Sequence, residues 1–156
     1  MTYLLLHVDD HPGDLELLRN AMLETDPDVQ VESVASAAAA LTFLTADLPT
    51  GGQRCPDLVM IDINMPLISG IQLLRLLKES PQWQKLPALM FSSSQRSVER
   101  AVCKQLGAAG FMRKPAHWTD YLTFTRKLAA EIRSGRLREM QRTDDSSTYS
   151  ALPVAD

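Results

Sequence analysis

The chain has 156 residues, of which 45% are hydrophobic and 22% charged, and this size and balance fit one globular domain. Its formal net charge of -3 argues against a nucleic-acid partner, because clustered Lys and Arg supply the affinity for a phosphate backbone. No signal peptide is visible and no apolar run approaches the roughly 20 residues that span a bilayer, so we expect a cytoplasmic protein without membrane contact.

Short apolar runs alternate with helical patterns along the chain. The predicted strands are Tyr3–Val8, Val29–Val34, Leu58–Ile61, Ala88–Phe91 and Gly110–Met112. Apolar residues at helical spacing follow each strand, with stop signals at Pro27, Pro81 and Gly107. Ser36 is a good N-cap for the second helix, and Ser92–Ser94 supplies possible caps for the fourth. Such alternation predicts an α/β fold, with a parallel sheet covered by helices on both faces.

Polar side chains follow four of the five predicted strands. Asp9 and Asp10 follow the first strand, Asp62 the third, Ser92 the fourth and Lys114 the fifth. Taken singly, each could be a helix cap, a loop residue or a surface charge. In parallel α/β sheets, however, ligands bind at the carboxyl ends of strands, where these groups would converge. Three close carboxylates ionise together only beside a cation, and Mg²⁺ prefers oxygen ligands. Such a site suits phosphoryl transfer.

These residues belong to longer motifs in a characteristic order. The motifs are Leu4–Asp10, Pro56–Pro66 with Ser69–Gly70, Leu86–Ser93, Gly107–Ala108 and Lys114–Pro115. Together they resemble the receiver domain of two-component response regulators, over about residues 3–133. The resemblance implies a doubly wound, flavodoxin-like and CheY-like sheet of strand order 2-1-3-4-5. It also implies Mg²⁺ as the cofactor and a sensor histidine kinase as the partner.

The resemblance implies a role for each residue of the site. Asp62 matches the aspartate that accepts the phosphoryl group. Asp10 matches the direct Mg²⁺ ligand, and Asp9 matches a neighbour that acts through water. Asn64 matches the position whose backbone carbonyl completes the metal site. Asn64 and Ser94 also occupy positions that tune the lifetime of the phosphoryl group.

The same resemblance implies how phosphorylation changes the protein. Ser92 matches the hydroxyl residue that moves to meet the phosphoryl group, and Lys114 matches the lysine that pairs with it. Lys114–Pro115 matches a bond that is usually cis. Phe111 matches an aromatic switch that turns inward when Ser92 moves, although it could also be a plain core residue. The change would alter the surface of the fourth helix, fifth strand and fifth helix.

The output of this switch is expected to be protein contact. We expect a receiver domain over residues 1–134 and a polar, flexible tail over 135–156, too short for an effector domain. The chain would therefore be a single-domain regulator, and no enzyme beyond its own phosphoryl transfer and slow autodephosphorylation. Trp118, Tyr121 and Phe124 crowd the last helix, and an exposed aromatic patch there would suit a homodimer through the same surface.

A narrower resemblance concerns the kinase. The segment His11–Asp14, the long loop before Pro56 and the segment Trp83–Pro87 resemble small stand-alone receivers that partner phytochrome-type histidine kinases.

Two histidines lie near the predicted site. His7, inside the apolar first strand, is expected to be a core residue with its hydrogen bonds satisfied. His11 is a loop residue beside the acidic groups and could tune access to them.

Two other functions fit part of the pattern. A phosphatase of the haloacid dehalogenase type also phosphorylates an aspartate after a strand, but it needs a second Asp two residues later, where this chain has Asn64. It usually carries a cap domain as well, for which there is no room. A pseudo-receiver would keep the fold as a binding module without phosphorylation, yet all the key positions are filled in this chain.

Overall fold

The computed structural model describes residues 2–46, 49–52, 55–93 and 96–137. Its strands are β1 (Tyr3–Val8), β2 (Val29–Val34), β3 (Leu58–Asp62), β4 (Ala88–Ser92) and β5 (Gly110–Arg113). Its helices are α1 (Pro12–Thr25), α2 (Ala37–Thr45), α3 (Gly70–Glu79), α4 (Ser97–Gln105) and α5 (Trp118–Ser134). The strands and helices alternate as predicted.

The five strands form one parallel sheet in the order β2-β1-β3-β4-β5, which confirms the doubly wound fold. The strands β3, β4 and β5 each run one residue further than predicted. The reason is that the hydrogen-bonded pairing of the strand backbones continues through residues with polar side chains. Asp62 pairs with Phe91, and Ser92 pairs with Arg113. Asp62 and Ser92 therefore lie on the rigid sheet and not in loops, which fixes their positions.

Alternate residues of the strands point to two separate cores. Leu6 and Val8 of β1 pack with apolar residues of α2, α3 and α4 on one face of the sheet. Leu5 packs with apolar residues of α1 and α5 on the other face. Because both faces are covered, the central strands are apolar almost throughout, as in other parallel sheets. Each fully buried leucine contributes roughly 1.5–3 kcal/mol of transfer free energy.

The start of α3 is tied closely to the end of β3. Ser69 caps the helix by accepting from the N–H of Gln72, and the side chain of Gln72 accepts from the N–H of Ser69. The N–H of Gly70 donates to the carbonyl of Ile63, over 2.9 Å. A side chain at Gly70 would overlap the main-chain oxygen of Asp62. Glycine is thus required for this close approach.

The possible capping of α4 by Ser92–Ser94 is not found among the described residues. Ser92 belongs to β4, and the helix begins at Ser97 with Arg96 at its N-cap position. Ser94, the third serine of the predicted cap, lies outside the described residues. Runs of serine predict helix starts only loosely, because a serine can equally end a strand.

Helices α1 and α5 are joined by polar contacts as well as by the second core. Thr25 donates a hydrogen bond to Thr125 over 2.9 Å, and Arg133 makes an ion pair with Asp26 over 2.7 Å. Of the predicted tail over 135–156, the structure describes 135–137, where Leu137 is buried in the second core. No helix among the described residues has the length and apolar character needed to cross a bilayer.

Candidate functional site

Three strands bring charged side chains to the carboxyl edge of the sheet. Asp9 and Asp10 directly follow β1, Asp62 ends β3, and Lys114 follows β5. One carboxylate oxygen from each of the three aspartates and one ring nitrogen of His11 lie within 4.8 Å of one another. The structure thus brings together the charged groups that were predicted from the strand ends, with His11 beside them as expected.

Asp62 is a buried member of this cluster and is only 2% exposed. Burial, followed by the nearby charge of Asp9, raises its pKa to about 6, although Lys114 opposes that shift. Its Oδ1 lies 3.5 Å from the Nζ atom of Lys114. Its Oδ2 is buried and accepts no hydrogen bond from the described part of the chain. Asp62 therefore keeps an oxygen lone pair available to an electrophile or a cation.

Asp9 is fully buried beside Asp62. Its Oδ1 accepts a hydrogen bond from the backbone N–H of His11 over 2.9 Å, and its Oδ2 lies 2.8 Å from Nζ of Lys114. Burial by itself would raise the pKa of Asp9, but the hydrogen bonds from Lys114 and His11 outweigh it and lower that pKa. The contacts of Asp9 thus favour its ionised form.

Lys114 is the cation of the cluster, and its side chain is only 8% exposed. Burial alone would lower its pKa, but hydrogen bonds to Asp9 and Asp14 reverse this and raise the pKa above its usual value. The ammonium group is therefore charged at any physiological pH. It offers donors to a further group bearing negative oxygens.

Asp14 is a member of the cluster that the sequence reasoning missed. It lies in the first turn of α1, and its Oδ2 is 2.9 Å from Nζ of Lys114. Lys114 is consequently closer to Asp9 and Asp14 than to Asp62. The sequence marks Asp14 only as the acidic residue in the first turn of α1, and nothing local links it to Lys114, 100 positions away.

The other predicted residues lie around this cluster. Ser92 is buried at the end of β4, next to the strand that ends in Asp62. Asn64 is exposed in the loop that follows β3, and Ser94 lies outside the described residues.

Phe111 is 5% exposed and packs in the first core, so it already faces inward in this structure. Phe has no hydroxyl to hold it at the surface, so burial of the whole ring is favourable.

The expected cis bond is not found. Within the described ranges every peptide bond is trans, including Lys114–Pro115. The two isomers of a bond before proline differ by only about 0.5–1 kcal/mol, so sequence alone fixes the isomer weakly.

His7 was expected to be a core residue whose hydrogen bonds are satisfied. The structure confirms the burial but not the hydrogen bonds. It is fully buried, but neither ring nitrogen has a hydrogen-bond partner among the described residues. Burial, the largest effect, lowers its pKa to about 4, so the ring is neutral. Its edge packs against Phe91 at 6.0 Å between ring centres. His7 thus serves as a core side chain beneath Asp9.

The residues present fit a divalent cation of the magnesium type. Asp10 is partly exposed and its Oδ1 accepts no hydrogen bond from the described residues, which is also true of Oδ2 of Asp62. Both oxygens are buried and without a hydrogen bond within the described residues. Mg²⁺ in proteins is usually bound by one or two carboxylates of this kind, with water completing its shell. A cation would also relieve the mutual repulsion of the three aspartates.

The chain matches the response regulator receiver domain family over residues 5–124. Response regulator Rre1 of Synechocystis sp. is 33% identical over 126 residues, which are 81% of this chain and 51% of that protein. The chain spans about half of the length of this relative.

Two solved structures are similar in fold. The phosphorylated cyanobacterial phytochrome response regulator RcpA is 19% identical, with a TM-score of 0.76 over 86% of this chain and 96% of that one. The bacteriophytochrome response regulator RtBRR is 26% identical, with a TM-score of 0.66 over 79% of this chain and 75% of that one.

Proposed function

Because the chain belongs to the response regulator receiver domain family, we propose that Asp62 accepts a phosphoryl group from a sensor histidine kinase. The observation that carries this proposal is the setting of Asp62. Its carboxylate is buried, has an oxygen without a hydrogen bond from the described residues, and lies 3.5 Å from the Lys114 ammonium. A carboxylate nucleophile beside a fixed cation suits attack on phosphorus.

In this reaction an oxygen of Asp62 forms a bond to phosphorus while the bond from phosphorus to the kinase histidine breaks. The electron pair of that bond leaves on the imidazole nitrogen, which takes up a proton when it is released. Lys114 is placed to donate to an oxygen of the transferring group, where negative charge is spread in the transition state. For this, Lys114 must move from Asp9 and Asp14 toward Asp62, a short shift of its terminal atoms.

Mg²⁺ would supply charge neutralisation for the phosphoryl oxygens. Asp10, Asp62 and the backbone carbonyl of Asn64 would hold it directly, and Asp9 would do so through water. The low pKa of Asp9 supports this role, because a ligand carboxylate has to stay ionised.

The output of the domain is proposed to be a change in the surface of α4, β5 and α5. Ser92 ends the strand next to the one that ends in Asp62 and would move toward the phosphoryl group. Phe111, which packs in the first core, would then repack. On this surface Val98 of α4 and Trp118 of α5 are exposed, whereas Tyr121 and Phe124 are buried. Of the three aromatic residues proposed for the homodimer contact, Trp118 is therefore the one that a partner could reach.

A phytochrome-type kinase is the partner that we propose. The bacteriophytochrome response regulator RtBRR supports this choice at 26% identity. Mixing the purified chain with a radiolabelled phytochrome-type kinase and with an unrelated sensor kinase tests it. Faster transfer of label from the first kinase is expected, and equal rates from both would contradict it.

The phosphorylation itself is tested with a small phosphodonor. We expect intact-mass spectrometry to show one added phosphoryl group in the presence of Mg²⁺ and none after chelation. The Asp62→Asn variant should show none, while Asp28→Asn, at the opposite edge of the sheet, should behave as the unchanged chain. Persistence of the added mass in Asp62→Asn would overturn the assignment.

A further inference from the structure

The ring of His11 lies over the acidic cluster and points a nitrogen into it. Its Nδ1 is 3.1 Å from Oδ1 of Asp9, 3.3 Å from Oδ1 of Asp10 and 3.8 Å from Oδ2 of Asp62. We propose that His11 is an additional nitrogen ligand of the cation site, and that it turns the preference of the site from Mg²⁺ toward first-row transition ions. This inference rests on the cation site of the proposed function and deepens it.

The backbone fixes His11 while leaving its ring adjustable. The backbone N–H of His11 donates to Oδ1 of Asp9, so the residue is anchored to a buried carboxylate. His11 is the N-cap residue of α1, and its side chain makes no capping bond to that helix within the described residues. The side chain is 61% exposed, so the ring can turn by small rotations without disturbing the core. Nδ1 of the ring shares a hydrogen bond with Oδ1 of Asp9 over 3.1 Å, and a bound cation would replace the proton of that bond.

The distances fit ligands that share one ion. An octahedral ion about 2.1 Å from each ligand holds neighbouring ligand atoms about 3.0 Å apart. The spacing of Nδ1 from the three carboxylate oxygens, 3.1–3.8 Å, is close to that value. Oδ2 of Asp62 is an independent indication, because it is buried, lacks a hydrogen bond from the described residues and faces the same space. Nδ1 of His11 thus converges with two oxygens that accept no hydrogen bond from the described part of the chain, Oδ1 of Asp10 and Oδ2 of Asp62.

The consequence for selectivity follows from the ligand types. Mg²⁺ prefers oxygen and keeps several of its waters, so an imidazole adds little to its binding. Imidazole nitrogen is a good ligand for Ni²⁺, Co²⁺ and Zn²⁺. Any site with oxygen and nitrogen donors binds Ni²⁺ more tightly than Mg²⁺, so the decisive quantity is how the ratio of the two affinities changes when the imidazole is removed.

The test is calorimetric titration of the full chain with MgCl₂ and with NiCl₂ at pH 8, in a buffer that does not bind metals. His11→Ala is the variant, and His117→Ala is its matched control, since His117 is likewise an N-cap residue without a side-chain capping bond. We expect His11→Ala to weaken Ni²⁺ binding about tenfold or more, and to change Mg²⁺ binding less than about threefold. His117→Ala should change neither.

A spectroscopic readout accompanies the titration. Addition of Zn²⁺ should shift the ring resonances of His11 in a nitrogen-correlated spectrum of the imidazoles, and leave those of His117 in place. If the unchanged chain binds Mg²⁺ and Ni²⁺ but His11→Ala weakens both equally or neither, the inference fails and the cation site stands. If the unchanged chain binds neither ion, the inference and the metal part of the proposed function fail together.

Discussion

At the scale of single residues, the site depends on a competition for Lys114. Three carboxylates surround its Nζ atom, and the nearer two belong to Asp9 and Asp14, not to Asp62. Asp14 thus acts as a rival acceptor that draws the ammonium away from the proposed phosphoacceptor. Its charge also lies close to the place where negative phosphoryl oxygens would arrive.

We therefore expect Asp14→Asn to strengthen the binding of a phosphoryl mimic. Both effects of the change, release of Lys114 and loss of a negative charge, favour the mimic. Together they should contribute about 1 kcal/mol, roughly fivefold in the dissociation constant of beryllofluoride with Mg²⁺. Glu16→Gln, an exposed acidic residue of the same helix, is the control for general charge. Equal effects of the two substitutions, or weaker binding in Asp14→Asn, would contradict this role.

The sequence predicted the members of the site that end strands, and it missed Asp14. Asp9, Asp10, Asp62 and Lys114 are fixed by the parallel sheet, whose strand ends share one edge. The contact of Asp14 with Lys114 joins residues 100 positions apart and depends on how α1 sits against the sheet. Local spacing does not specify that arrangement, because tertiary packing decides it.

At the scale of the elements, the join between β3 and α3 positions Asp62. The capping box of Ser69 and Gln72 starts the helix, and Gly70 lets it approach the backbone of Asp62. This contact was not predicted, because the glycine alone is compatible with many turns. The existence of both elements was predicted, because an apolar run followed by helical spacing is a strong signal.

Gly70→Ala should destabilise the protein. The added methyl group would meet backbone atoms of Asp62 and Ile63 that cannot turn aside, so the helix has to shift, at a cost of about 1–3 kcal/mol. Gly13→Ala is the matched control, since its added methyl group meets no atom within 4 Å and should raise stability by up to about 1 kcal/mol. Urea unfolding followed by circular dichroism measures both. Equal midpoints for Gly70→Ala and the unchanged chain would show that this close approach has no energetic role.

At the scale of the whole molecule, the two cores and the α1–α5 contacts stabilise the fold, whereas the buried charge of ionised Asp62 lowers the free energy of unfolding. The pKa of Asp62 is about 6 in the folded, metal-free protein, against its ordinary value of 3.8. The folded state therefore binds more protons than the unfolded chain between these two values. The stabilising effect of this protonation is complete below about pH 4 and is lost as the pH rises through about 6.

Asp62→Asn should accordingly be more stable than the unchanged chain above pH 6, in the presence of a chelator. The expected difference is on the order of 1–3 kcal/mol, and it should largely disappear near pH 4. Added Mg²⁺ should stabilise the unchanged chain but hardly the variant, because a ligand of the folded state raises its stability. Thermal melts over this pH range measure the difference. A difference that is independent of pH would show that burial and the charge of Asp9 do not raise the pKa of Asp62.

The overall architecture was predictable for a physical reason. Five apolar strands buried on both faces, joined by helices, leave few arrangements other than a doubly wound parallel sheet. Less predictable were the trans bond before Pro115 and the ring nitrogens of His7, which have no hydrogen-bond partner in the described part of the chain, since both depend on the final packing. The similarity in fold to RcpA, at 19% identity, shows how loosely this architecture constrains sequence.

The central claim is that Asp62 carries the phosphoryl group, and locating that group tests it most directly. The chain is phosphorylated with a small phosphodonor and Mg²⁺, reduced with borohydride, which converts a phosphorylated aspartate to homoserine, and digested for peptide mapping by mass spectrometry. We predict homoserine at position 62 alone, and no conversion when Mg²⁺ is withheld. Conversion at Asp9, Asp10 or Asp14 with Asp62 unchanged would contradict the claim.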